Sequence, residues 1–168
     1  MMKIFLFFLL LLVSCFSYSN NSLHNFVQKA CNTNDLDTSL IIKIITHESK
    51  SYFKSKAQPW PWTLNINGRG YYFNSYAEAL TYAKEALKKK PRRFGVGLGQ
   101  IEWSYHKGRF KDLSEALDPY KNIVVVRDIL LEGKRIGITN SYELAAYYHR
   151  PVRDSIAFAY ADKVFSND

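Results

Sequence analysis

The chain has 168 residues, of which 47% are hydrophobic, 15% aromatic and 23% charged. That supplies one compact domain with its own core and is too little for a second full domain. Twenty-three Lys and Arg against fifteen Asp and Glu give a formal net charge of +8, which favours an anionic partner: nucleic acid, acidic lipid or an acidic polymer.

Residues 1–19 read as an export signal: a lone Lys3, an unbroken apolar run from Ile4 to Val13, then small and polar residues ending in Ser17-Tyr18-Ser19. The run is too short to span a bilayer as a mature helix. Cleavage after Ser19 removes Lys3 and leaves 22 basic against 15 acidic residues in a domain over 20–168. Export argues against nucleic acid as the partner. Leu12-Val13-Ser14-Cys15 also resembles a bacterial lipobox, in which Cys15 is acylated and anchors the protein to a membrane. Ser17-Tyr18-Ser19 is an acceptable cleavage site as well, and plain export is favoured. No disulfide framework is readable, and Cys31 is expected to be a buried free thiol.

Leu23 to Ala30 carries Leu23, Phe26, Val27 and Ala30 at helical spacing, and the Asn/Thr/Asp cluster that follows breaks it. The next helix opens near Asp37 or Thr38. Its apolar face runs through Ile41, Ile44 and Ile45, and the next position on that face is Glu48. A carboxylate where the pattern calls for core is costly unless paired or protonated, and desolvation lifts its pKa toward the working range of a general acid. The plainer reading, in which Glu48 is the first exposed residue of a fraying helix, stays open.

Pro59-Trp60-Pro61-Trp62 excludes a helix. Thr63-Leu64-Asn65-Ile66 alternates in period two, Asn67-Gly68 signals a tight turn, and Tyr71-Tyr72-Phe73 is β-prone, so one small hairpin is expected. Trp60, Trp62, Tyr71 and Tyr72 gather around it. Each is read more simply as filling the hairpin's own core, but as a cluster they offer a stacking platform for a sugar.

Ser75-Tyr76-Ala77-Glu78 is a capping box for a helix running to about Lys89 and stopped by Pro91. The basic run Lys84, Lys88, Lys89, Lys90, Arg92 and Arg93 reads as a solvated helix end favoured by the macrodipole. In Phe94-Gly95-Val96-Gly97-Leu98-Gly99-Gln100-Ile101 the three glycines permit close backbone approach to a packed helix or to a ligand, with Gln100 aimed into a cleft in the second case. The run lacks the final Gly of a dinucleotide fingerprint. Asp118-Pro119 opens a helix with Ile123, Val126 and Leu130 inward; Asn140 with Glu143 opens another; Arg153 to Phe165 forms a last amphipathic segment after Pro151.

A zinc site is not indicated, since His47-Glu48 begins the zinc-protease motif but Ser51 stands where its second His belongs. The Glu48-Ser49 pair at a helix end, Gly97-Leu98-Gly99-Gln100-Ile101, Asn122-Ile123 after Asp-Pro, and Ala146-Tyr147-Tyr148 together resemble the lytic transglycosylase family, in family order from about Leu23 to the C-terminus. The segment from Pro59 to Phe73 looks like the branch associated with conjugation and type IV secretion or pilus systems.

That resemblance implies a mainly helical α+β, lysozyme-like single domain with a small β-hairpin. It implies cleavage of peptidoglycan glycan strands between N-acetylmuramic acid and N-acetylglucosamine, without metal or cofactor. Glu48 matches the catalytic acid; Ser49, Gln100 and Tyr148 match substrate-binding positions of the motifs, to which Trp60, Trp62, Tyr71 and Tyr72 are added from the hairpin. Machinery proteins of a secretion or conjugation system are implied partners. His149 stands where the family has Asn, and Glu102 where a neutral residue is commoner. A hydrolase using Glu48 and Glu102, and a non-catalytic wall-binding scaffold, remain as alternatives.

Overall fold

The computed structural model describes residues 22–32, 34–53 and 56–166. Residues 1–19, which read as an export signal, and Cys15 among them lie outside the described residues. The described chain is mainly helical with small antiparallel sheets.

A first helix, α1, covers 22–31 and buries Val27, Ala30 and Cys31. Helix α2 (Thr38–Ser49) starts at the cap Asp37, whose side chain accepts from Ser39 N. Such a cap contributes about 1 kcal/mol by satisfying an otherwise orphaned amide. Leu40, Ile41, Ile44 and Ile45 are fully buried, each contributing roughly 1.5–3 kcal/mol of apolar transfer. The helix does not fray before Glu48: Ser49 is still helical, and its Oγ donates to the Ile45 carbonyl at 2.7 Å.

Two short strands follow, β1 (Lys50–Phe53) and β2 (Lys56–Pro59), paired as an antiparallel ladder. The expected hairpin is β3 (Thr63–Ile66) with β4 (Arg69–Tyr72), turning at Asn67 (φ 53°) and Gly68 (φ 89°). Positive φ at both turn residues matches the right-handed strand twist, and Asn and Gly bear it at least cost. The sheet is larger than one hairpin. After α3 (Tyr76–Lys88), β5 (Phe94–Val96) returns to pair with β3, and β6 (Ile101–Glu102) pairs with β5, giving the order β4-β3-β5-β6.

The short helix α4 (Trp103–His106), a 3₁₀ turn (Lys107–Arg109) and α5 (Leu113–Ala116) lead to α6 (Pro119–Arg135), the longest helix described. Its cap is Asp118 with Pro119 in the first turn, and Asn122, Ile123, Val126 and Leu130 face inward. Helices α7 (Ser141–His149, capped by Asn140) and α8 (Ser155–Phe165, capped by Asp154) pack on each other, and α2 packs against α6, α7 and α8. The last turn of α2 is thereby set between the sheet strands that follow it and the α7–α8 pair. No helix among the described residues is long and apolar enough to cross a membrane.

Candidate active site

Glu48 is one turn beyond Ile44 and Ile45, and the helix face that buries those side chains carries its carboxyl into protein. From the facing helix, Tyr160 Oη donates to Glu48 Oε1 at 2.7 Å. Oε2 has no protein hydrogen bond among the described residues, and no buried side-chain oxygen there lacks a partner, so this atom opens onto the adjoining pocket. Burial pushes the Glu48 pKa up to about 7, against the Tyr160 hydrogen bond, which lowers it. The carboxyl is therefore a proton donor near neutral pH and, once emptied, a base of matching strength.

The pocket beside Glu48 has a volume of about 590 Å³ and is lined by His47, His149, Tyr160 and Lys163 among others, with Ser155, Ile156 and Ala159 completing the α8 wall. That volume suits an organic ligand rather than an ion. His149 lies flat on Tyr160, with ring centroids 4.5 Å apart and planes 9° apart, while His47 meets the same ring edge-on at 5.1 Å. The phenol that holds Glu48 is thus clamped by two imidazoles. Burial, then the nearby Lys50 and Lys163 charges, holds His47 below the usual imidazole range. Burial and the Arg150, Lys163 and Arg93 charges do the same to His149, with Asp154 opposing. Burial and the Glu48 charge raise the phenols of Tyr148 and Tyr160 well above the usual range, so both stay protonated donors.

The glycine run packs against α6 and α7. Asn122, wholly buried on α6, accepts from Gly99 N at 2.7 Å and donates to the carbonyls of Val96 (3.0 Å) and Ala116 (2.9 Å). Tyr148 Oη donates to the Gly99 carbonyl at 2.6 Å. A Cβ at Gly97, where φ is +72°, would fall 2.6 Å from the Asn122 amide nitrogen, and one at Gly99 would fall 2.4 Å from Val126. These two glycines are needed for close approach to a packed helix, α6.

The other residues singled out in the sequence are engaged inside the protein. Ser49, buried, accepts from Trp60 N at 3.3 Å while donating to Ile45, and so ties the strand segment to the end of α2. Gln100, in left-handed backbone (φ 46°), donates through Nε2 to Thr63 Oγ1 at 2.7 Å and to the Gly97 carbonyl at 2.8 Å. Both of its amide hydrogens serve the loop rather than a cleft. Trp60 donates to the Phe73 carbonyl at 2.8 Å and meets Trp62 edge-to-face at 5.9 Å. Tyr71 packs on Tyr82, and exposed Tyr72 donates to the Lys50 carbonyl. None of these four aromatics lines the Glu48 pocket. Glu102 caps α4: its carboxylate accepts from Phe94 N with both oxygens at 3.1 Å and from the Ser104 hydroxyl at 3.0 Å.

No protein-family model, curated protein or solved structure matches this chain. The site's chemistry therefore stands on its own groups. Among the described residues no cluster of His, Cys, Asp or Glu could hold a metal ion. Tyr160 escapes a reading by pattern because a tyrosine at Ala157, Tyr160, Ala161, Val164 spacing counts as core.

Proposed function

We propose that the protein is a glycan-cleaving lytic transglycosylase of the cell wall, exported, with a lysozyme-like arrangement of its helices and small sheet. What carries this reading is the Glu48 carboxyl, its pKa lifted to about 7 by burial, held by Tyr160 at one oxygen and lining a ligand-sized pocket. In the proposed reaction Glu48 Oε2 gives its proton to the bridging oxygen as the bond from that oxygen to C1 of the N-acetylmuramic acid breaks. The resulting carboxylate takes the proton of the same sugar's C6 hydroxyl, and that oxygen closes on C1. The product is a 1,6-anhydro ring, no water enters, and Glu48 ends protonated as it began.

The intramolecular route is supported over hydrolysis by the acids around Glu48. A two-carboxylate hydrolase needs a second carboxyl free to bind water. Glu102 is committed to capping α4, and Asp154, at the start of α8, accepts from Ile156 N and Ala157 N and pairs with Arg150. Among the described residues, no carboxylate other than Glu48 lines the pocket. The cationic surroundings suit an anionic wall polymer. The Pro59–Phe73 segment motivates assigning the enzyme to an envelope-spanning secretion, conjugation or pilus machine, which the enzyme would serve by opening the wall. Incubating the protein with purified wall tests the reading: cleared wall that persists with Glu48→Gln removes the proposal, and no clearing by the wild type promotes a binding scaffold.

A further inference from the structure

One corner of the four-stranded sheet carries six exposed cations. The register pairs Ile66 with Arg69 on one side and with Phe94 on the other, so Arg69 at the start of β4 and Arg92 and Arg93 just before β5 flank the same end of β3, about two strand spacings apart. Backbone bonds fix this arrangement: Asn67 N donates to the Arg93 carbonyl at 3.1 Å, and Arg93 N donates to Asn67 Oδ1 at 3.2 Å. Helix α3 delivers Lys88, Lys89 and Lys90 to the same corner through Pro91, with Lys90 held at φ 49°. Lys88 pairs with Glu85, and among the described residues no ion pair engages the other five.

The helix macrodipole accounts for lysines at the end of α3, but not for Arg92 and Arg93 beyond it or for Arg69 on a separate strand. Like charges gathered on a fixed backbone repel one another unless an anion lies against them. Between Lys84 and Val96 no large apolar side chain is exposed, and the large exposed side chains near Arg69, Tyr72 and Tyr82, are tyrosines rather than aliphatic residues for insertion into lipid. The cations spread over two strand ends and a helix end instead of converging on one point, as a single small anion would require.

We propose that this corner is an exosite for a carboxylate-bearing glycan strand, gripping the polymer beyond the sugars that are cut at Glu48. The identity of the strand rests on the transglycosylase reading; its charge does not.

The test uses the chain carrying Glu48→Gln, so that polymer is bound without turnover, with and without Arg69→Glu, Lys90→Glu and Arg92→Glu together. Binding is measured to purified wall, to polygalacturonate, to neutral dextran and to vesicles of anionic phospholipid, with thermal melts to verify folding. The reversal is expected to weaken binding to wall and polygalacturonate about tenfold or more at low salt. The gap should close in roughly 1 M salt, where screening acts within about 3 Å. Arg92→Ala alone should give a smaller loss with the same salt dependence, which keeps the test valid if the triple variant melts early. Unchanged binding, a loss that survives high salt, an equal loss on dextran, or tighter binding to the vesicles than to polygalacturonate would each overturn the exosite. Should the wild type fail to cut wall while the reversal still weakens polygalacturonate binding, the catalytic reading falls and the acidic-polysaccharide surface stands.

Discussion

Tyr160 Oη donates to Glu48 Oε1 at 2.7 Å across 112 residues of chain, and the tyrosine ring is held between His149 and His47. Burial and this bond act on the carboxyl in opposite directions, and burial prevails. The bond fixes one oxygen of the acid and leaves the other facing the pocket.

Tyr160→Phe removes the hydrogen bond that lowers the Glu48 pKa, so the pKa should rise above about 7. An acid catalyst loses activity as pH climbs through its pKa. The alkaline limb of the rate profile should therefore move to higher pH, while the rate on the plateau falls through loss of orientation. A limb that stays in place or moves to lower pH would show that the phenol does not tune the acid. Loss of a hydrogen bond to an ionisable partner should cost about 1.5–3 kcal/mol of stability when Glu48 is charged and less when it is neutral.

Glu48 also makes stability depend on pH. Its carboxyl titrates near 4.5 in the unfolded chain and near 7 in the fold, so between those values the native state holds more protons. The stability tied to the neutral acid is fully present below about 4.5 and is lost as pH rises through about 7. Gln cannot ionise. Relative to the wild type, Glu48→Gln should gain up to roughly 3 kcal/mol between pH 4 and pH 8. Urea unfolding of both proteins at the two ends of that range measures it, and a difference that does not change with pH would place the carboxyl in solvent.

Gly99→Ala puts a methyl group 2.4 Å from Val126 and 2.6 Å from Tyr148 Oη. Either α6 or the Tyr148 hydroxyl must yield, at a cost of about 1–3 kcal/mol of overpacking. Gly108→Ala, which meets nothing within 4 Å, is the control and should be nearly neutral. Equal melting temperatures for the two variants would contradict the described packing of the loop on α6.

Glu102→Gln keeps one carbonyl oxygen to accept from Phe94 N and Ser104, so it should lose less than about 1 kcal/mol and retain most activity. Turnover reduced a hundredfold or more, on the order of what a general base contributes, would restore Glu102 as a reacting group.

Much of this organisation is legible in local sequence because its determinants are local. The caps Asp37, Ser75, Asp118 and Asn140, the Asn67-Gly68 turn and the inner stripes of α2 and α6 each depend on residues within a turn of one another. What is not legible depends on distant partners. β5 is only three residues long and gains its identity by pairing with β3 across α3, and Lys50–Phe53 with Lys56–Pro59 show neither alternation nor a tight-turn dipeptide. Glu48 was visible as an acid on an apolar face, whereas its partner Tyr160 was not, since nothing local distinguishes a tyrosine in the core from one holding a carboxyl. Ser49 and Gln100, polar residues in motifs, turned out to hold the chain to itself: Ser49 ties Trp60 to α2, and Gln100 ties the glycine loop to Thr63.

In the proposed reaction one carboxyl, Glu48, breaks the glycosidic bond with the sugar's own hydroxyl as nucleophile. Mass analysis of the soluble fragments released from purified wall tests it most directly. The expected fragments end in a 1,6-anhydro ring, lighter by one water than hydrolysed ones, with no isotope taken up when digestion is run in ¹⁸O-labelled water, and none are released by Glu48→Gln. Reducing-end sugars carrying the label as the main product would contradict it.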